Sequence, residues 1–384
     1  MNKYLKIKIN GFNIKSLLLI NYLSKYNYKF YVDVSNNLDT KSNYKNKFYT
    51  ITNFTKKILQ DLNLLEKLEN KIYGFNSYSY YNNCFKEEIL ISNKLFNSKD
   101  SNEGNLGWTL NHSDLEEVLL DQLSNNKNII YLKKNEYSNL SQIRYDYELY
   151  FGSFNKYIKS KNILLFNNPD ISSSLIFKVM VRGNPSRRSY EIFLKKDSIL
   201  MIPLSKNIYQ IVWKSNYKKI KDQMNMNVNL LLDNLSTVLP KGFKLDQIVG
   251  DVYFSSNKLS SFNNINFENN KFYFNDFNAV SNNLIIDELK SYIIDLNYLH
   301  QKFLTNKNFD ISISFKFKIK HYLKRFLNFS IKLFFKNIIF RLFVGLKIFP
   351  YLFIQSPLLK FNKHKCIKNF INSISKSIFL ILIK

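Results

Sequence analysis

Two kinds of apolar spacing alternate over residues 5–33. A short apolar strand comes first, and a turn follows at Gly11. The next segment has apolar positions at helical spacing, and a second strand ends at Asp33. Parallel strands joined by a helix have this order. The pattern therefore predicts a βαβ unit.

Further strands and helices are indicated over the following part of the chain. Residues 54–72 predict a helix with four apolar positions on one face: Ile58, Leu62, Leu65 and Leu68. Period-two alternation over residues 73–92 predicts antiparallel strands. Residues 106–123 predict a short strand and then a helix, with Ser113 as its N-cap and Glu116 as the capping-box partner.

The second half of the chain changes character. One strand pattern follows another from about residue 164, which predicts a sheet-rich domain over residues 164–249. Strand and helix patterns then return, so an α/β domain is expected from two stretches, residues 1–163 and 250–310. Residues 311–384 alternate basic and large apolar side chains and contain no acidic residue, which predicts a basic amphipathic helical region.

Composition excludes several classes of function. With 384 residues, 45% hydrophobic and 16% aromatic, the chain is expected to fold around a sizeable core. Cys84 and Cys366 form no CxxC pair, so neither a disulfide framework nor a thiolate metal site is indicated. The histidines also lack ligand spacing. We therefore expect no metal site, and histidines at the surface or facing a partner: His112, His300, His321 and His364.

The net charge of +27 has two explanations, a functional one and a compositional one. The chain is rich in Lys, Asn, Ile, Tyr and Phe, as AT-rich coding sequences produce, and no nucleic-acid-binding motif accompanies the charge, so nucleic acid is disfavoured as a partner. No apolar run reaches the ~18 to 20 residues that span a bilayer, and no secretory signal is indicated. A peripheral membrane location on the cytoplasmic or organelle-matrix side is expected.

The turn at Gly11 carries the clearest chemical signal. In a dinucleotide-binding unit this turn reads Gly-x-Gly-x-x-Gly, and an acidic residue roughly 20 residues later holds a ribose hydroxyl. Here Gly11 is kept, whereas Asn13 and Ser16 stand at the second and third glycine positions, and Asp33 is the acidic candidate. The frame of a nucleotide-binding unit is present, but the part that approaches the phosphates is altered.

Longer motifs resemble one protein family. Residues 106–123 (LGWTLNHSDLEEVLLDQL) resemble its "LG-hydrophobic-ENRDL-LL" helix start, and residues 51–68 resemble the helix after its strand-borne arginine. Residues 334–352 resemble its C-terminal "LFSxxxPLLRLLRxxGL" segment. Residues 189–213 resemble its "FxxxGxLALLPLxxxxxSxVW" sheet region, with matches at Phe193, Pro203, Leu204, Val212 and Trp213. The family is the FAD-dependent aromatic-ring hydroxylases, in their ubiquinone-biosynthesis branch.

This resemblance implies a p-hydroxybenzoate-hydroxylase-like fold of class α/β: a Rossmann-like FAD-binding-type domain, a sheet-rich substrate domain and C-terminal helices. In that family reduced flavin reacts with O₂ and hydroxylates an electron-rich ring, while NAD(P)H supplies electrons. A polyprenylated aromatic ring would be the substrate. The resemblance carries the flavin contacts over to a set of positions in this sequence: Gly11, Asn13, Ser16, Asp33, Lys47, Gly152, Asp276 and Asp287.

Half of these positions depart from the family pattern, and the motifs around the others are incomplete. Lys47 replaces an arginine, and Gly152 is the only residue kept from a Gly-Ala-Asp-Gly motif. Between Asp276 and Asp287 the family's glycine-rich loop over the flavin is missing. Counted without gaps, Asp33 falls one residue short of the acidic position. No catalytic residue is assigned.

Three hypotheses follow from these departures. The first is a ubiquinone-biosynthesis hydroxylase homologue with impaired or lost FAD binding, acting as an accessory or non-catalytic protein among other proteins of that pathway. The second is an active hydroxylase that uses FAD and NAD(P)H. The third is a basic protein that reuses the scaffold to bind an anionic membrane surface, with its C-terminal residues 311–384 as the contact.

Overall fold

The computed structural model describes residues 4–34, 47–83, 86–92, 104–124, 126–132, 143–151, 172–183, 187–194, 197–240, 242–256, 265–268, 270–274 and 288–305. The strands are β1 (Leu5–Asn10), β2 (Tyr28–Asp33), β3 (Phe48–Ile51), β4 (Ile72–Phe75), β5 (Ser77–Asn82), β6 (Glu87–Ser92), β7 (Gly107–Asn111), β8 (Ile129–Leu132), β9 (Tyr147–Phe151), β10 (Ser172–Arg182), β11 (Arg188–Phe193), β12 (Ser198–Pro203), β13 (Ile208–Asn216), β14 (Lys244–Ser256), β15 (Ile265–Glu268) and β16 (Lys271–Phe274). The helices are α1 (Ile14–Leu23), α2 (Asn53–Asp61), α3 (Leu65–Leu68), α4 (His112–Ser124), α5 (Tyr217–Met224), α6 (Val228–Val238) and α7 (Glu288–Thr305).

A six-stranded sheet of order β15-β16-β9-β1-β2-β8 is the centre of the α/β part. β1 pairs in parallel with β2 and with β9, and α1 joins β1 to β2, which confirms the βαβ prediction. Leu17 and Ile20 of α1 are fully buried in the same core as Ile7 and Ile9 of β1. Because β1 has parallel neighbours on both sides, the carboxyl ends of three strands meet at one edge, where open α/β sheets bind ligands.

A seven-stranded sheet of order β14-β10-β13-β12-β11-β5-β6 confirms the fold class with a second, sheet-rich part. One face packs on α5 and α6 through residues such as Phe177, Trp213 and Leu235. The sheet extends beyond the residues 164–249 expected from the sequence, because β5 pairs in parallel with β11 and β14 continues to Ser256. A hairpin from the first hundred residues thus completes a sheet formed mostly by later strands.

A three-stranded antiparallel sheet of order β3-β7-β4 lies beside the large sheet. The hydroxyl of Thr109 on β7 donates to the main-chain oxygen of Pro203 at 3.0 Å, at the end of β12. Lys178 of β10 places its ammonium 5.4 Å from the ring centre of Phe48 on β3. These contacts hold β3 and β7 against the seven-stranded sheet.

The helices differ from the predicted ones at their ends. The helix expected over residues 54–72 is broken between α2 and α3, where Asn63 has a φ of +58°. The N-cap prediction for Ser113 is wrong, because α4 begins at His112 directly after β7, and the Asn111 side chain accepts from the Ser113 N–H at 3.4 Å. Within the described residues, no helix combines the length and apolar character needed to cross a bilayer.

A buried carboxylate lies on the face of the seven-stranded sheet that points away from α5 and α6. The Tyr78 hydroxyl donates to Glu191 Oε2 at 2.7 Å, and both side chains are buried. Burial, and then the nearby carboxylate, raises the pKa of Tyr78 well above its usual value, so the phenol keeps its proton. The Tyr78 and Tyr80 rings meet edge to face, with 4.6 Å between their centres. Glu191 is therefore held by a neutral donor inside an aromatic cluster.

We expect Tyr78→Phe to lower the free energy of unfolding by about 2 kcal/mol, because it leaves a buried carboxylate without this donor. Tyr150→Phe is the matched control, since its hydroxyl donates to Glu148 Oε2 at 2.6 Å at a half-buried position. That change should cost less than about 1 kcal/mol. Urea denaturation of the two variants measures both values, and equal losses would contradict the role given to burial.

Candidate functional site

Gly11 lies where the turn after β1 passes under the end of β9. Its φ is +101°, and a Cβ atom built there would lie 2.2 Å from the main-chain oxygen of Phe151. No L side chain fits that space without a backbone shift. The glycine that the sequence keeps is therefore required by the packing of the turn against the neighbouring strand.

Asn13 is the N-cap of α1 and closes the start of the helix with Ser16. The Asn13 side-chain oxygen accepts from the N–H groups of Lys15 and Ser16, each at 3.1 Å. In return, Ser16 Oγ accepts from the Asn13 N–H at 2.9 Å, and its hydroxyl donates to the Asn13 carbonyl at 2.7 Å. This is a reciprocal capping box with serine in the position usually held by Glu or Gln.

Helix α7 lies against this first turn of α1. The Tyr292 hydroxyl donates to the Lys15 main-chain oxygen at 2.7 Å, and the Lys15 ammonium lies 5.5 Å from the centre of the Tyr292 ring. Both side chains are buried. The turn is thus fixed by its own cap on one side and by α7 on another.

Asp33 ends β2 beside Asn10, the last residue of β1 and its partner in the parallel register. The Asp33 side chain is buried at this edge of the sheet. The Asn10 amide nitrogen is also buried, with no hydrogen-bond partner in the part of the chain that the structure describes. Two polar residues therefore lie side by side at the carboxyl ends of adjacent strands, next to the Gly11 turn.

A second polar group consists of Lys47 directly before β3, Tyr49 on β3 and His112 at the start of α4. The His112 N–H donates to the Lys47 carbonyl at 2.9 Å, and the Tyr49 hydroxyl lies 2.6 Å from His112 Nδ1. The Lys47 side chain is buried, with its ammonium 5.0 Å from the Tyr49 ring centre. Lys47 and His112 are separated widely in the sequence, and the β3–β7 pairing brings them together.

Burial, reinforced by the Lys47 charge, lowers the pKa of His112 to about 4, so the imidazole is neutral at pH 7. His300 is also buried, between Tyr26 and Tyr28, and burial lowers its pKa. The expectation that the histidines lie at the surface or face a partner is therefore wrong for His300, which is buried, whereas His112 is half-buried. Both rings pack against tyrosines within the α/β part, which the sequence spacing did not indicate.

Three solved structures share this architecture. They are a probable FAD-dependent monooxygenase, PqsL, from Pseudomonas aeruginosa (TM-score 0.55, 11% identity, 79% of this chain and 88% of that chain), p-nitrophenol 4-monooxygenase PnpA from Pseudomonas putida (0.51, 11%, 78% and 78%), and a geranylgeranyl bacteriochlorophyll reductase-like protein from Thermoplasma acidophilum (0.53, 13%, 84% and 83%). This chain has the FAD-dependent monooxygenase fold. No protein-family model and no curated protein sequence matches it.

In the FAD-dependent monooxygenase fold, the implied cofactor would place its pyrophosphate at the start of α1, where main-chain N–H groups and the helix dipole favour a phosphate. Here the N–H groups of Lys15 and Ser16 point at the Asn13 side chain, and the Asn13 N–H points at Ser16. A phosphate at this place would have to displace the cap. The first turn of α1 does not fit the pyrophosphate as the structure has it.

The sequence signal for this cap is short. Compared with the glycine motif, Asn13 and Ser16 are two separate replacements, at the second and third glycine positions. Read as a pair three residues apart before an apolar run, they match the start of a capped helix. The remaining candidate flavin positions, Gly152, Asp276 and Asp287, lie outside the described residues, as does the basic region over residues 311–384.

Proposed function

We propose that the chain is a divergent relative of the ubiquinone-biosynthesis FAD monooxygenases that has lost the family's mode of FAD binding. It would act as an accessory, non-catalytic protein alongside other proteins of that pathway, near a polyprenylated aromatic ring at a membrane surface. The sequence motifs support the branch. The observation that carries the loss of function is the Asn13–Ser16 capping box at the start of α1.

The cap is a specific obstacle because its two parts depend on each other. Separating a hydrogen-bonded N–H group from its acceptor costs free energy unless a ligand accepts the same hydrogen bond. A pyrophosphate would have to accept from the N–H groups of both Lys15 and Ser16, which now donate to Asn13. A glycine at that position offers no such competitor. The two altered glycine positions therefore act together to satisfy the helix start from within the chain.

Flavin content tests the proposal directly. Purified wild-type protein is expected to carry no stoichiometric flavin and to bind no added FAD at micromolar concentration. Asn13→Gly is the informative variant, because glycine at an N-cap costs only about a few tenths of a kcal/mol and removes the competing oxygen. We expect this variant to bind FAD more tightly than the wild type. Stoichiometric flavin in the wild type would overturn the proposal, and equal affinities would show that the cap is not the obstacle.

A second candidate is an active hydroxylase of a polyprenylated aromatic ring that uses FAD and NAD(P)H. The buried Asp33 beside Asn10 favours it, because an acidic side chain at the end of the second strand is the group that contacts a ribose in this type of fold. A yellow protein with an NAD(P)H-dependent oxidase rate would support this candidate. A third role, binding to anionic membranes through residues 311–384, is tested by salt-dependent binding to anionic vesicles.

A further inference from the structure

A cavity of about 360 Å³ opens between the end of α1, α2 and α7. Its walls include the rings of Tyr22, Tyr26 and Phe54, and its apolar lining includes Ile58 and Ile293. The volume falls at the lower end of the range for small-molecule sites, and the lining combines apolar, aromatic and polar side chains. We propose that this cavity binds a small uncharged aromatic molecule that carries a hydroxyl or carbonyl oxygen.

The cavity is separate from the start of α1. Tyr22 lies in the last turn of that helix, nine residues after Asn13, so it is about 13 to 14 Å along the axis from the Asn13 cap. The cavity therefore belongs to the opposite end of the helix layer from the carboxyl edge of the six-stranded sheet. Its occupancy does not depend on the proposed function.

The walls are held in place without a ligand. The Tyr26 ring stacks on His300 with 3.7 Å between centres, and the Tyr28 hydroxyl lies 3.1 Å from His300 Nδ1. The Lys25 ammonium donates to the main-chain oxygen of Asp61, which ties the turn after α1 to the end of α2. A site whose walls are already ordered loses less conformational entropy on binding.

The chemistry of the lining indicates the class of ligand. Lys25 and Asp61 both reach the cavity, so a ligand of either charge meets one attractive and one repulsive group. Burial raises the pKa of Tyr22, with Tyr26 as a second cause, so its phenol stays a hydrogen-bond donor at neutral pH. Asn297 adds an amide on the α7 side. Aromatic walls with neutral donors suit a planar ring with an oxygen acceptor.

The test is a titration of the full chain with 2-naphthol, followed by protein-observed NMR or ligand fluorescence. Ile58→Trp fills the cavity from a half-buried position on α2, and we expect at least ~10-fold weaker binding. Gln60→Trp is the matched control, because Gln60 is exposed on the same helix and does not line the cavity. It should bind like the wild type. Naphthalene-2-sulfonate, a charged analogue, should bind more weakly than 2-naphthol.

A wild-type protein without saturable 1:1 binding would overturn the proposal, as would equal affinity of Ile58→Trp and Gln60→Trp. Circular dichroism shows whether each variant is folded. Should Ile58→Trp not fold, Tyr22→Phe and Asn297→Ala decide the matter, since each removes one polar group from a site that is not fully buried. Weaker binding by at least one of these two supports the site, and unchanged binding by both overturns it.

Discussion

Gly11→Ala is expected to lower the free energy of unfolding by about 4 kcal/mol, from overpacking and an unfavourable backbone conformation together. The new Cβ would lie 2.2 Å from the Phe151 oxygen, which is main chain of a central strand and cannot rotate away. The overlap can be removed only if β9 moves away from the turn after β1. Because β9 pairs with β1 and β16, that shift would propagate through the six-stranded sheet.

Gly242→Ala separates the two causes. Gly242 has a φ of +103°, nearly the same as Gly11, but apart from its chain neighbours no atom of the described residues lies within 4 Å of its added Cβ. Its loss should be limited to the backbone term, about 1 to 2 kcal/mol. Urea denaturation followed by intrinsic fluorescence measures both variants. If the two losses were equal, the contact with Phe151 would not be the reason that the turn needs glycine.

The βαβ unit could be predicted because all of its signals are local. Alternating strand positions, helical spacing in α1 and a glycine at the turn lie within 29 consecutive residues, and each agrees with the others. The strands β10 to β13 were predicted for the same reason. The pairing of β5 with β11 was not predicted. Parallel partners are joined by long connections, and neither strand carries a sequence signal that identifies its partner.

The contacts of the candidate site also fall into local ones, which the sequence could indicate, and long-range ones, which it could not. Gly11, Asn13 and Ser16 interact within one turn, so their capping box was present in the sequence although it was interpreted as separate changes. The contact between Lys47 and His112 depends on the register of β3 with β7, across more than sixty residues. Sequence spacing predicts a His112 that lies at the surface or faces a partner. It cannot indicate the packing of the imidazole beside Tyr49, because that contact is a tertiary property.

Under the proposed function, the Lys47 group and the capping box would affect FAD binding in different ways. A charged Lys47 in place of an arginine keeps the sign of the charge and loses the planar fork that binds a phosphate with two parallel bonds. The capping box instead satisfies the donors that a phosphate would use. Lys47 would weaken the attraction for a phosphate, and the capping box would occupy the N–H groups that a phosphate needs. Both effects would lower the affinity for FAD, so restoring one group alone should recover only part of it.

Lowering the pH is expected to destabilise the protein through His112. The unfolded chain has a histidine pKa near 6.5, and the folded protein holds that of His112 at about 4. Between these values the unfolded chain binds a proton that the folded protein does not, so protonation favours unfolding. The contribution of neutral His112 to folding stability is complete above pH 6.5. It is lost progressively as the pH falls from 6.5 through about 4. At 1.36 kcal/mol per pKa unit, the loss from this residue is about 3 kcal/mol.

The measurement compares urea denaturation of the wild type with that of His112→Gln across this pH window. Carboxylates also titrate near its lower end, but they do so in both proteins, so the difference between the two curves isolates the imidazole. The wild type should lose about 3 kcal/mol more than the variant on acidification. His300→Gln is the control and should keep the His112-dependent part of the loss. Parallel curves for the wild type and His112→Gln would mean that His112 takes up its proton in the folded protein, and the packing of its ring beside Lys47 and Tyr49 would then be looser than the structure describes.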